Sequence, residues 1–140
     1  MICKSEVNVK IMKNMKKIVS IFTLIALLFS LTACSSFMAI GLAENGGFKE
    51  RNLSFFYLNG RKEYRFVGSA ESTVNYSIKV EEGEIAVYYE LDGERTELAR
   101  VRDGESKEGS SGVIDATSNL LIIIEATEAK EGEVWVSLAD

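Results

Sequence analysis

From Leu53 onward the chain alternates apolar and polar residues in short runs that clusters of Gly, Asn, Asp and Glu interrupt. That is the pattern of half-buried β-strands, because successive side chains on a strand point to opposite faces. "LSFFYL" ends at Asn59-Gly60, a dipeptide suited to a two-residue hairpin turn. "KEYRFVG" sets Tyr64 and Phe66 against Glu63 and Arg65, and "STVNYSIKV" sets Val74, Tyr76, Ile78 and Val80 against Asn75, Ser77 and Lys79. "EIAVYYEL" puts Ile85, Val87, Tyr89 and Leu91 on one face, with Glu82-Gly83 and Asp92-Gly93 as turns and "ERTELARV" as its hairpin partner. "RDGESKEGSSG" reads as a polar loop and "GVIDA" as a short strand. "NLLIIIEA" is continuously apolar, as a central strand buried on both faces would be, and "EVWVSL" turns Val134, Val136 and Leu138 to one side.

These runs predict an all-β domain of about eight strands over residues 51–140. One twisted sheet would leave its apolar face wet, so an antiparallel two-sheet sandwich is the economical architecture, with a closed barrel as the alternative. No 3.6-residue periodicity supports a helix in this region. The run from Leu120 to Ile124 would be an aggregation hazard at a sheet edge, which again argues for a central position.

The beginning of the chain follows another pattern. Lys13, Lys16 and Lys17 precede fourteen residues, Ile18 to Leu31, in which only Ser20, Thr23 and Ser30 are polar, and small residues follow. This is the layout of a secretory signal peptide, and the apolar run is short of the ~20 residues a bilayer crossing needs. Leu31-Thr32-Ala33-Cys34 resembles the lipobox of bacterial lipoproteins at all four positions. The resemblance implies that the Cys34 thiol receives a diacylglyceryl group, that residues 1–33 are removed, and that Cys34 becomes the first residue of the mature chain. It implies a lipid-anchored protein on the extracytoplasmic face of the bacterial cell membrane, or on the outer membrane where the cell has one. Residues 1–11 fit poorly as part of such a signal, and Met12 or Met15, each followed by a lysine, is the expected start. Residues 34–50 read as the lipidated cysteine and a flexible tether. Phe37, Met38, Ile40 and Leu42 are unusually apolar for a linker, and either lie against the membrane or dock on the domain.

Charge and residue inventory narrow the function. Without its first 33 residues the chain keeps 11 basic and 20 acidic residues, a formal charge of −9 that would repel a nucleic-acid backbone. There is no histidine, so the commonest general base and metal ligand is missing. Of the two cysteines only Cys34 survives processing; no intramolecular disulfide is then available, and lipidation consumes the thiol. Asp92-Gly93-Glu94 to Glu97 and Asp103-Gly104-Glu105 to Glu108 repeat one spacing, which reads as turn chemistry because neither copy has the alternating oxygen donors of a calcium loop. No metal, cofactor or catalytic residue is assigned, and the protein is not expected to be an enzyme. The best binding signal is aromatic. If Val87 and Tyr89 face inward, Tyr88 faces out; if Val134 and Val136 do, so does Trp135. Outward Tyr and Trp faces stack on sugar rings or anchor a protein partner. The expected role is therefore a non-catalytic binding or structural module at the cell surface, the alternative being an accessory protein that binds carbohydrate or cell-wall ligands through Tyr88 and Trp135. The partners expected are the membrane through Cys34 and a cell-wall glycan or envelope protein.

Overall fold

The computed structural model describes residues 13–23 and 37–140. Residues 13–23 form a helix within a unit that ends at Ser36, and no helix among the described residues is long and apolar enough to cross a membrane. The lipobox and Cys34 lie outside the described residues. The second unit, Phe37–Asp140, is the β domain.

It contains seven antiparallel strands: β1 Met38–Ile40, β2 Ala43–Gly46, β3 Glu50–Phe66, β4 Ser72–Leu91, β5 Glu94–Arg102, β6 Ser106–Ile114 and β7 Leu120–Ala139. They form one sheet in the order β1-β3-β7-β4-β5, with β2 also on β3 and β6 also on β4. The sheet is not closed into a barrel. Instead β3, β4 and β7 run through both layers of a sandwich, each bending midway. One half-sheet has the strand order β2, start of β3, end of β7, start of β4, β6; the other has end of β3, start of β7, end of β4, β5.

The bends explain why the strand count falls short of eight. The Asn59-Gly60 and Glu82-Gly83 signals are not hairpins. They are register shifts inside β3, between Leu58 and Gly60, and inside β4, between Glu82 and Glu84. A single positive φ, at Gly60 or Gly83, coils the strand without reversing it. β7 bends through Glu128 and Glu131, both at positive φ, and the Glu128 amide donates to Asn59 Oδ1 at 3.0 Å. Each shift also flips the alternation, so that Leu53 and Phe55 point inward before the β3 bend and Tyr64 and Phe66 after it. In β4 the inward set passes from Val74, Ile78 and Val80 to Ile85 and Val87. These residues close one core with Ile122, Ile124, Val134, Val136 and Leu138. β7 is central, as its apolar run requires, and Ile123, pointing away from the core, is fully buried as well.

Asp92-Gly93 is the expected hairpin: Leu91 pairs with Glu94, and both turn residues have positive φ. Two expectations need correction. "RDGESKEGSSG" is not a loop, because Ser106–Ile114 pairs with β4 as an edge strand; backbone pairing needs no apolar side chains, and "GVIDA" contributes only its end. Nor is residues 37–50 a flexible tether. β1 pairs with the β3 bend and β2 with Arg51–Ser54, while Ala39 and Leu42 pack against the core, so the folded unit begins at Phe37 rather than at residue 51.

Candidate functional site

The outward faces of the two half-sheets differ in chemistry. On the first, strand pairing aligns Asn45, Asn52, Trp135, Ser77 and Glu108 in one row across five strands. The row on one side holds Ser54, Glu133, Lys79 and Ser106, and the row on the other holds Glu50, Ser137, Asn75 and Ser110. Strand and residue spacings give this field an extent of roughly 19 by 13 Å. Trp135 sits at its centre, half-buried, and its Nε1–H donates to Glu50 Oε1 at 2.7 Å. That bond satisfies the polar tip of the indole and restrains the ring within a surface of side-chain amides and hydroxyls. A depression of about 370 Å³, lined by Ser54, Phe56, Lys79, Glu131 and Glu133, adjoins the field.

The second outward face is an ion-pair lattice. Arg100 bonds Glu84 and, at 2.8 Å, Glu97; Arg102 bonds Glu84 at 2.7 Å; Arg95 bonds Glu125 at 3.1 Å. Burial would raise the Glu84 carboxyl, but its bonds from Arg102 and Arg100 outweigh that and hold it below the usual carboxylate range. Tyr88 lies inside this lattice. The Arg95 guanidinium stands 4.7 Å above its ring and Arg100 donates to its hydroxyl at 2.8 Å. One face of Tyr88 is thus already covered and its hydroxyl is engaged.

Both sequence candidates therefore point outward, yet they lie on different half-sheets and cannot form one site. Trp135 is half-buried among amide and hydroxyl side chains; Tyr88 is a structural member of a charged surface. Asn45, Asn52, Asn75, Ser77 and Ser137 are the residues that sequence reasoning missed. Each is an outward position of its strand, but only the pairing register shows that they surround Trp135.

The two Asp-Gly-Glu segments also part company. Asp92-Gly93 turns between β4 and β5. Asp103-Gly104 turns between β5 and β6 and docks on the β4 bend, where the Gly83 amide donates to Asp103 Oδ1 at 2.8 Å and the Asp103 amide to the Gly83 carbonyl at 3.1 Å. No group of three Asp or Glu side chains is placed to hold a metal ion among the described residues. A hollow of about 650 Å³ lies at this bend, and two pairs of its charges are engaged with one another, Lys130 with Glu82 at 3.0 Å and Arg102 with Glu84.

No protein-family model matches the sequence, and no curated protein matches it. Among solved structures the chain is similar to a family 29 carbohydrate-binding module in complex with mannohexaose, at 13% identity and a TM-score of 0.40 over 76% of this chain and 79% of that one. It is also similar to a family 61 carbohydrate-binding module in complex with β-1,4-galactotriose, at 15% identity and a TM-score of 0.41 over 70% and 69% of the two chains. Similarity at that level assigns neither family nor ligand.

Proposed function

We propose that the chain is a lipid-anchored extracytoplasmic protein whose sandwich binds a glycan on the outward face of the first half-sheet, without catalysing a reaction. The observation that carries the binding reading is the placement of Trp135, pinned by Glu50, at the centre of a field of Asn and Ser side chains. An indole face packs against the C–H face of a sugar ring, and side-chain amides and hydroxyls exchange hydrogen bonds with its hydroxyls, so the two halves of the recognition chemistry occur together. The flanking Glu50, Glu108 and Glu133, against Lys79 alone, favour a neutral or cationic sugar over an anionic one. Support for the anchor is the lipobox resemblance at Leu31-Thr32-Ala33-Cys34 behind a Lys-rich and apolar beginning. Support for a purely binding role is a chain with no histidine, in which Arg95 stands over the Tyr88 ring and the Trp135 Nε1–H is held by Glu50.

The test is a fluorescence titration of the single tryptophan with soluble cell-wall and other neutral oligosaccharides. Saturable change with a neutral glycan is expected. By isothermal calorimetry, Trp135→Ala should weaken binding by about 30-fold, the scale of an anchor worth ~2 kcal/mol, and Tyr88→Ala should leave it unchanged. Equal loss in both variants, or no glycan bound at all, would overturn the assignment. Mass measurement of the N-terminal peptide from membranes tests the anchor separately, because an unmodified Cys34 refutes it.

A further inference from the structure

We propose that the apolar rim formed by Phe37, Met38, Ile40 and Phe56 is a bilayer-contact surface, seated among the headgroups of the membrane that holds the lipid. The inference rests on the acylation of Cys34 proposed above. Exposures of 43%, 54%, 58% and 68% leave these four large side chains in solvent although each belongs to or adjoins the ordered sheet. β1 pairs on one side only, with the β3 bend, and Ala39 alone of its residues packs against the core. The Phe56 ring lies against Gly41, so it is continuous with the end of β1.

Chain length makes the bilayer the occupant. Only two residues, Ser35 and Ser36, separate Cys34 from Phe37, and three residues of extended chain span at most about 10 Å. A diacylated Cys34 sits at the bilayer surface. Phe37 is therefore held within the depth of the interfacial region, into which apolar side chains insert by ~5–10 Å. No other partner is constrained to this rim by a covalent bond. The charge of −9 on the mature chain gives no general attraction to an anionic membrane, and Lys62, whose Nζ lies 5.0 Å from the Phe37 ring centroid, is paired with Glu44 at 2.7 Å, so contact depends on the apolar side chains. Contact through the rim would also fix the ligand face relative to the membrane. Phe56 is four residues from Asn52 on β3, so the Trp135 row stands roughly 13 Å from the rim along that strand.

The experiment uses the full chain, acylated in a bacterial host, purified and reconstituted into vesicles of phosphatidylglycerol and phosphatidylethanolamine with or without brominated acyl chains. In a Trp135→Phe background, Ile40→Trp supplies one fluorophore at the rim, Met38→Trp a second choice if the first does not fold, and Asn119→Trp a control. Asn119 is exposed and precedes Leu120, which pairs with Phe66, about 20 Å along β3 from the bend at Gly60. Tryptophan at 40 or 38 should shift to the blue on reconstitution and lose most of its emission to brominated lipid, and tryptophan at 119 should do neither. Acylated, vesicle-bound protein whose rim tryptophans behave like the control would overturn the contact surface and leave the anchor standing. A Cys34 without lipid would overturn both.

Discussion

Gly83 and Gly93 offer a matched test of the bend in β4. Both have φ 85°, but a Cβ on Gly93 would meet nothing within 4 Å, whereas one on Gly83 would stand 2.3 Å from the Glu128 carbonyl oxygen and 2.7 Å from that of Thr127. Alanine at either position bears the cost of a left-handed conformation, about 1–2 kcal/mol, partly offset by the ~0.4–1 kcal/mol gained from a less free unfolded chain. Gly93→Ala should therefore destabilise by about 1 kcal/mol. At Gly83 the backbone of β7 must also move, an overpacking cost of roughly 1–3 kcal/mol, for a total of about 2–4 kcal/mol. For a domain of this size each kcal/mol corresponds to ~4–8 °C in Tm, so a loss of ~4–8 °C is expected for Gly93→Ala and roughly 8–32 °C for Gly83→Ala. Thermal melts followed by near-ultraviolet circular dichroism give both values. Equal losses in the two variants would refute the account of β4 and β7 bending against each other, because shared conformational cost would then be the whole effect.

Glu44 makes a prediction in pH. Burial would raise its carboxyl, but hydrogen bonds from Lys62 at 2.7 Å and from the Tyr64 hydroxyl at 2.5 Å, with the charges of Lys62 and Arg51, hold it below its ordinary 4.5. A depressed carboxylate stabilises the fold above its unfolded value and loses that contribution as pH falls through the folded one. Glu44→Gln should thus cost about 1 kcal/mol at pH 7 in urea unfolding, and the gap to the unmodified protein should close as pH falls below about 4.5; a gap constant to pH 3 would count against it. Ile123→Ala should cost ~2–4 kcal/mol although Ile123 lies outside the main core, since Glu63 and Tyr88 flank it across the sheet and it is fully buried; a loss below ~1 kcal/mol would show that the lattice does not cover it.

The apolar alternation was sufficient to assign which residues face the core. Tyr64 and Phe66, Val74, Ile78 and Val80, Ile85 and Val87, and Val134 and Val136 all turn inward as their period of two requires. Strand endings were not legible, and the reason is physical. A positive φ at Gly60 or Gly83 is needed for a tight hairpin and for a coiled bulge alike, and the dipeptides Asn59-Gly60 and Asp92-Gly93 differ little in local preference. What separates them is tertiary: β3 continues past Asn59 because β7 bends beside it and lends Asn59 the Glu128 amide, whereas β4 ends at Leu91 with no neighbour to follow. The edge strand β6 escaped for a different reason. Its pairing partner is the backbone of β4, and an exposed strand of Lys, Glu, Ser and Gly carries no apolar signature.

The same bends decide what could be known of the site. Outward orientation of Trp135 and Tyr88 follows from alternation within their own strands, and that part was readable. Whether two outward residues share a surface depends on which side of a bend each lies, and Ser77 and Tyr88 show this within one strand. Eleven residues apart, they would point to opposite faces of a regular strand; the shift at Gly83 turns both outward, yet on different half-sheets. Ser77 joins Asn52 and Trp135 in an amide and hydroxyl field, while Tyr88 joins Arg95 and Arg100 in an ion-pair lattice. The chemistry of each surface then follows from what its rows can do with one another. Opposite charges on neighbouring strands satisfy themselves and leave little for a ligand, whereas Asn and Ser around a single indole retain donors and acceptors that a polyhydroxylated partner can use.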